Sequence, residues 1–160
     1  SSDVCSSDLV VALRLSRHDA PATISYINRN LDVARYRADM EAALASAAQS
    51  GRSAVLVFGA DWCHDSIALA KVLTSDAFKA EFGRGYSVTF IDVGTPQRGQ
   101  GRNFDLLARF KVRELKGTPA MFVIGPDGKL RNKRKDALSW RNAEGRGTSA
   151  TLEWFRKLKP

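Results

Sequence analysis

Cys63 is the residue best placed, by type and setting, to do covalent chemistry. It lies in the run Asp61-Trp62-Cys63-His64-Asp65-Ser66. Downstream, Ile67, Leu69, Ala70 and Leu73 recur at helical steps, which predicts a helix beginning at about Cys63. A thiol at a helix N-terminus faces unpaired backbone N–H groups and the positive end of the helix dipole. Both favour thiolate, the nucleophilic form. A protonated His64 adds to that field and Asp65 opposes it. Ser66 can donate a hydrogen bond to a thiolate but carries no sulfur with which to resolve a mixed disulfide. Trp62 is expected either to cover the sulfur or simply to pack. His64 reads as an exposed rim residue, and Asp61 as part of the turn, with proton transfer as a second reading.

Other chemistries fit the chain less well. Cys63, His64 and Asp65 are adjacent, and neighbours on a helix point in different directions, so they do not make a metal site. The other histidine is His18, and no zinc-type spacing is present. No metal and no cofactor are expected. Two cysteines, Cys5 and Cys63, are too few for a disulfide framework. A bridge between them would need Cys5 to be fixed, yet it sits in a Ser/Asp-rich end expected to be mobile. The first nine residues repeat Ser-Ser-Asp without structural logic and are expected to be foreign to the native chain. A native N-terminus, with any export signal, would then be missing.

The bulk numbers suit one compact domain. The chain has 160 residues, 44% of them apolar, and a net charge of +8. No apolar run approaches the ~18 residues of a membrane span. The positive charge is scattered and is densest at Arg131-Asn132-Lys133-Arg134-Lys135. That run reads as a solvated edge, and no aromatics interleave with it as a single-strand nucleic-acid binder would require. Nucleic acid is therefore not an expected partner, although net positive charge can steer acidic ones.

The elements that must position Cys63 follow from the apolar pattern. Residues 1–30 read as an N-terminal extension, in which 9–15 could be a strand or a fragment. A helix runs from about Leu31, carried by Val33, Tyr36, Met40, Ala43, Leu44 and Ala47, to Ser50-Gly51. Residues 54–58 are apolar at every position, as in a central strand covered on both faces. A turn at 59–62 leads into the Cys63 helix, which breaks at 74–76 and resumes at 77–82. A second strand covers 86–93, and 94–101 reads as a polar loop. Phe104, Leu107 and Phe110 mark a short core-facing helix. Gly117-Thr118-Pro119 turns into a strand at 120–124, and Gly125-Pro126-Asp127-Gly128 predicts a hairpin into a polar edge strand at 129–133. Residues 136–147 read as loop, with Trp140 in the core. A last helix, 149–158, buries Leu152, Phe155 and Leu158. The alternation predicts an α/β fold with parallel strands, crossover helices and an antiparallel edge.

That order, with three motifs in place, resembles the thioredoxin superfamily. The motifs are Val55-Leu56-Val57-Phe58-Gly59-Ala60-Asp61-Trp62-Cys63, Gly117-Thr118-Pro119 and Pro126-Asp127-Gly128-Lys129. The resemblance covers about residues 35–158 and implies a thioredoxin-like domain over 31–160, with a central mixed β-sheet flanked by helices. It implies that Pro119 is cis and presents the backbone of Thr118 to an extended substrate beside Cys63. Residues 59–69, with Trp140-Arg141-Asn142-Ala143, are more like a bacterial branch of the family, many of whose members are exported. Periplasm or cell envelope is accordingly the expected compartment, with cytoplasm as the alternative.

Two departures narrow the activity. The family's redox motif is Cys-x-x-Cys, and here Ser66 stands at the second cysteine position. Its buried strand aspartate, which helps move the proton of that second thiol, is replaced by Val57. The resemblance therefore implies monothiol exchange through Cys63 with protein or glutathione thiols and disulfides, as in isomerisation or deglutathionylation. Ser66 would assist catalysis, and Trp62, His64, Asp65, Thr118 and Pro119 would contact substrate. The alternative is a peptide-binding module of the same fold without redox turnover. Peroxide reduction would want a base or arginine beside the thiol, and none is evident. Oligomeric state is not legible.

Overall fold

The computed structural model describes Tyr26 and residues 33–158. The readings placed on residues 9–15, Cys5 and His18 lie outside the described residues. Helix α1, Val33–Ser50, buries Tyr36, Met40 and Ala47 at four- and seven-residue steps. It closes where Gly51 takes a left-handed φ of 69°, which lets Arg52 N–H reach back to the carbonyl of Ala47 at 3.0 Å.

Strand β1, Ser53–Gly59, is buried along its whole length because it is the middle of the three strands that pair in this sheet among the described residues. On one side lies β2, Tyr86–Asp92, parallel, in a register that sets Ser53 opposite Tyr86 and Gly59 opposite Asp92. On the other lies β5, Ala120–Ile124, antiparallel, with Phe58 opposite Ala120. The sheet is mixed, as expected, but the direction of β5 corrects the expected parallel third strand. Both the end of β2 and the start of β5 lie at the Gly59 end of β1, so the chain between them never travels back along the sheet. That connection holds a two-rung hairpin, β3 (Gly94–Thr95) and β4 (Gln100–Gly101), within the stretch read as a plain loop. It continues through α4, Phe104–Leu107, and one 3-10 turn to Phe110. Seven helical residues advance only about 10 Å, too little for a crossover.

Alternation along β1 divides the core into two layers. Leu56 and Phe58 face Tyr36, Met40, Phe110 and Phe122 under α1 and α4. Val55 and Val57 face Leu69, Phe78, Trp140 and Phe155. This second layer is covered by α2, His64–Leu73; by α3, Asp76–Phe82; and by α6, Ala143–Lys157. Val57 is fully buried among these apolar side chains.

Two further expectations need correction. The polar edge strand at 129–133 is a single bridge, Ile124 to Leu130. Asn132 takes over the ladder instead. Its Oδ1 accepts from Val123 N–H at 2.9 Å, and its Nδ2 donates to the carbonyl of Met121 at 2.8 Å. A side-chain amide thus supplies the donor and acceptor that the next strand residues would have offered, and the chain is free to turn away. It enters α5, Arg134–Ala137, and a 3-10 segment, Leu138–Asn142, where a loop was expected. Burial of Trp140 and hydrogen bonds from Asn132 and Trp154 to Asp136 hold this polar stretch helical. The last helix begins at Ala143, kinks at Gly147 and ends at Lys157, so its regular second part matches the expected 149–158 except for Leu158, which is extended. Phe155 is buried as expected, whereas Leu152 and Leu158 are half-buried.

Candidate active site

The turn that ends β1 is compressed from inside. A Cβ at Gly59 would stand 2.6 Å from the Tyr26 ring and 2.8 Å from Ser66 Oγ, so only glycine fits. Ala60 N–H donates to Ser66 Oγ at 3.2 Å, and Cys63 N–H donates back to the carbonyl of Ala60 at 3.2 Å. Cys63 is the N-cap of α2, with extended backbone (φ −96°, ψ 121°), and its carbonyl accepts the first helical bond from Ile67 N–H. The N–H groups of His64, Asp65 and Ser66 are therefore the first-turn donors of α2, without an acceptor inside the helix.

The half-buried Cys63 thiol meets the loop before β5. Its Sγ donates to the carbonyl of Thr118 at 3.4 Å, and the Thr118–Pro119 peptide is cis. Thr118 and Pro119 are buried, and Thr118 Oγ1 is enclosed without a hydrogen-bond partner among the described residues. The structure thus brings Cys63 and Thr118 into contact. Trp62 is half-buried, and its Nε1–H donates to the carbonyl of Gly94 at 2.8 Å. His64 is exposed on the rim. Ser66 is fully buried with its hydroxyl on Ala60 N–H. Asp65 faces α6, where its Oδ1 accepts from Glu144 N–H at 2.9 Å and so caps the first turn of that helix.

Three features escaped the sequence. Tyr26, within residues 1–30, is fully buried beneath the turn. Its backbone N–H donates to Asp61 Oδ1 at 2.6 Å, its hydroxyl to the carbonyl of Ser66 at 3.0 Å, and its carbonyl accepts from Tyr36 Oη–H at 3.0 Å. Burial pushes its phenol well above the usual tyrosine range, with the charges of Cys63 and Asp61 adding to the effect, so it stays a donor. Asp61 is accordingly a buried anchor as well as a turn residue. Asp92 is the third. Its Oδ1 accepts from Gly94 N–H at 3.1 Å and its Oδ2 lies 3.5 Å from Arg102. Burial raises its carboxyl above the ordinary range, opposed by the Gly94 N–H and Arg102 and reinforced by Asp61. A lone Tyr in an aperiodic segment and an Asp closing a strand carry no local signal of such roles.

Among the described residues no group of three or more His, Cys, Asp or Glu could hold a metal ion, and no helix is long and apolar enough to cross a membrane.

A mixed sheet, three-stranded among the described residues, a cysteine capping the helix after its central strand and a cis-proline loop against the sulfur define a thioredoxin-type domain. The thioredoxin-like family matches residues 35–126, and the chain belongs to it. It is also similar to the thiol:disulfide interchange protein DsbD of Pseudomonas fluorescens, at 30% identity over 125 residues. That alignment takes in 78% of this chain but 19% of the relative, so the chain spans about a fifth of that protein. Among solved structures it resembles a disulphide isomerase from Xylella fastidiosa Temecula1, with 29% identity and a TM-score of 0.68. That match covers 82% of this chain and 94% of the other.

Proposed function

We propose that this domain carries out thiol–disulfide exchange on protein disulfides with Cys63 as its single working thiol. The observation that carries the reading is the pairing of a half-exposed sulfur at the N-cap of α2, 3.4 Å from the Thr118 carbonyl, with a buried serine at position 66. The names of the two relatives, one for disulfide interchange and one for isomerisation, support the same chemistry.

The step balances without a cofactor. Cys63 thiolate attacks one sulfur of R–S–S–R′, the new Cys63–S–S–R bond forms, and R′–S⁻ leaves with the electron pair and takes a proton from water. A second thiolate from the client or a small thiol then attacks the R sulfur and returns Cys63 as thiolate. The number of disulfides is conserved, so the net result is isomerisation or transfer. Ser66 cannot release the adduct, which makes the mixed disulfide long-lived. Thr118 offers its backbone to the client segment, with Pro119 fixing that loop, and Trp62, His64 and Asp65 border the approach. Persisting disulfide substrates belong to oxidising compartments, which supports an envelope location.

Mass spectrometry of the protein mixed with oxidised glutathione tests the reading. Cys63 is expected to gain the adduct faster than a free-cysteine peptide at the same pH. A rate no higher than the peptide's overturns the proposal and leaves the domain as a peptide-binding module.

A further inference from the structure

A groove of about 370 Å³ opens beside the cis-proline loop, bounded by Lys116 and Gly117 on that loop and by Lys135, Leu138 and Arg141 on α5 and the 3-10 segment after it. It begins one residue from Thr118, whose carbonyl touches the Cys63 sulfur. Arg141 lies directly on the loop, since a Cβ at Gly117 would be 3.2 Å from its Cδ. Lys116, Lys135 and Arg141 are all exposed, and none takes part in an ion pair among the described residues. Elsewhere Arg37, Arg109, Arg131 and Arg156 are each matched to a carboxylate. Arg146 stands behind the groove, its guanidinium 3.8 Å over the Trp140 ring and hydrogen-bonded to Ser139.

The negative charge nearby is smaller. Glu114 lines the same groove, and Glu144 is exposed at the start of α6. Asp65 caps α6, and Asp136 is occupied by Asn132 and Trp154. Among the residues lining the groove, three unpaired cations stand against one carboxylate, which leaves a positive field beside the loop whose Thr118 carbonyl touches the Cys63 sulfur. A cleft lined by one sign of charge concentrates ligands of the other.

We infer that this groove selects client segments with acidic residues flanking the disulfide-bonded cysteine. The inference rests on the exchange reading above and names the substrate class of that same site. The leaving thiol and the Cys63 adduct are unchanged; the groove acts on the residues beside the attacked sulfur, by raising local concentration and by orientation.

Three symmetrical peptide disulfides provide the test, with Glu, Ser or Lys on both sides of the cysteine. Rates of adduct formation on Cys63 are measured by quenched mass spectrometry. Each is divided by the rate of the same disulfide with N-acetylcysteine amide, which removes intrinsic reactivity. The acidic probe is expected to react roughly tenfold faster than the serine probe at low salt, and the lysine probe slower still. The acidic advantage should shrink as salt rises to 0.5 M. In the Lys116→Gln/Lys135→Gln/Arg141→Gln variant the acidic-to-serine ratio should fall towards one. The Lys116→Gln/Lys135→Gln double variant, which keeps the Arg141 stem against Gly117, should fall part of the way. Equal normalised rates for the three probes, or a ratio unmoved in both variants, overturn the groove inference. A serine probe no faster with the protein than with the free thiol overturns the exchange reading itself.

Discussion

The turn at the end of β1 has two faces built on opposite terms. The inner face is tied: Gly59 is wedged between a tyrosine ring and Ser66, Asp61 holds the Tyr26 backbone, and the Tyr26 hydroxyl reaches the Ser66 carbonyl. The outer face, with Trp62, Cys63 and His64, is partly or wholly exposed and holds its sulfur with one long contact to Thr118. A nucleophile works best when its support is rigid and its own atoms are free to react, and the difference between the faces provides that arrangement.

Cys63→Ser breaks the comparison most sharply. It should abolish the mixed disulfide on the peptide carrying position 63 in peptide-mapped mass spectra, leaving only what Cys5 forms, while urea denaturation shifts by no more than about 0.5 kcal/mol, because a half-exposed hydroxyl can donate to Thr118 as the thiol does. The inner face should behave the other way round. Tyr26→Ala removes a fully buried ring and should cost about 3–5 kcal/mol. Tyr26→Phe keeps the ring and its edge-on contact with Phe90 at 5.1 Å, but leaves the Ser66 carbonyl without that donor, at about 1–2 kcal/mol. Denaturant midpoints would check both. If Tyr26→Ala melted like the parent, the tie beneath the turn would not be supporting it.

The outer face was the legible one. An unbroken apolar strand, a glycine turn, Trp-Cys and a later Gly-Thr-Pro are local patterns, and each reports its element through periodicity or backbone chemistry. The inner face and the far sheet edge depend on contacts distant in sequence. Tyr26 is 35 residues from Asp61 and 40 from Ser66, so nothing beside it in the chain marks it. The direction of β5 depends on where a loop ends, which no period encodes. Asn132 sits among four cations and reads as solvated surface, yet it is buried and replaces a strand. The helical turn at 134–137 is polar and forms because Trp140 and Asp136 anchor it.

Asn132→Ala extends the comparison to that far edge. It would strand Val123 N–H and the Met121 carbonyl inside the sheet, at a cost of about 2–3 kcal/mol by urea titration. Cys63 adduct rates should not change, since β5 meets the site at its other end, through Thr118 and Pro119. A fall in both stability and adduct rate would show that the sheet edge and the turn are coupled.

The smallest effect concerns the residue that joins the two faces. Asp92 is buried, and through Gly94 it holds the strand end whose carbonyl anchors Trp62. Burial raises its carboxyl above the value it would have in an unfolded chain. Between those two values the folded protein binds more protons than the unfolded one, so stability falls as pH rises through that window. Below the window both states are protonated and Asp92 costs nothing; above it the buried charge is a fixed penalty, offset in part by Gly94 N–H and Arg102. Asp92→Asn keeps an oxygen for Gly94 N–H and loses a 3.5 Å contact to a largely exposed arginine, which is worth little. Melting curves from pH 4 to pH 8 should therefore show the variant more stable than the parent at pH 8, with the gap closing on acidification. A variant less stable at pH 8 would mean that the Gly94 and Arg102 contacts outweigh burial, and that the buried carboxylate strengthens the wall behind Trp62.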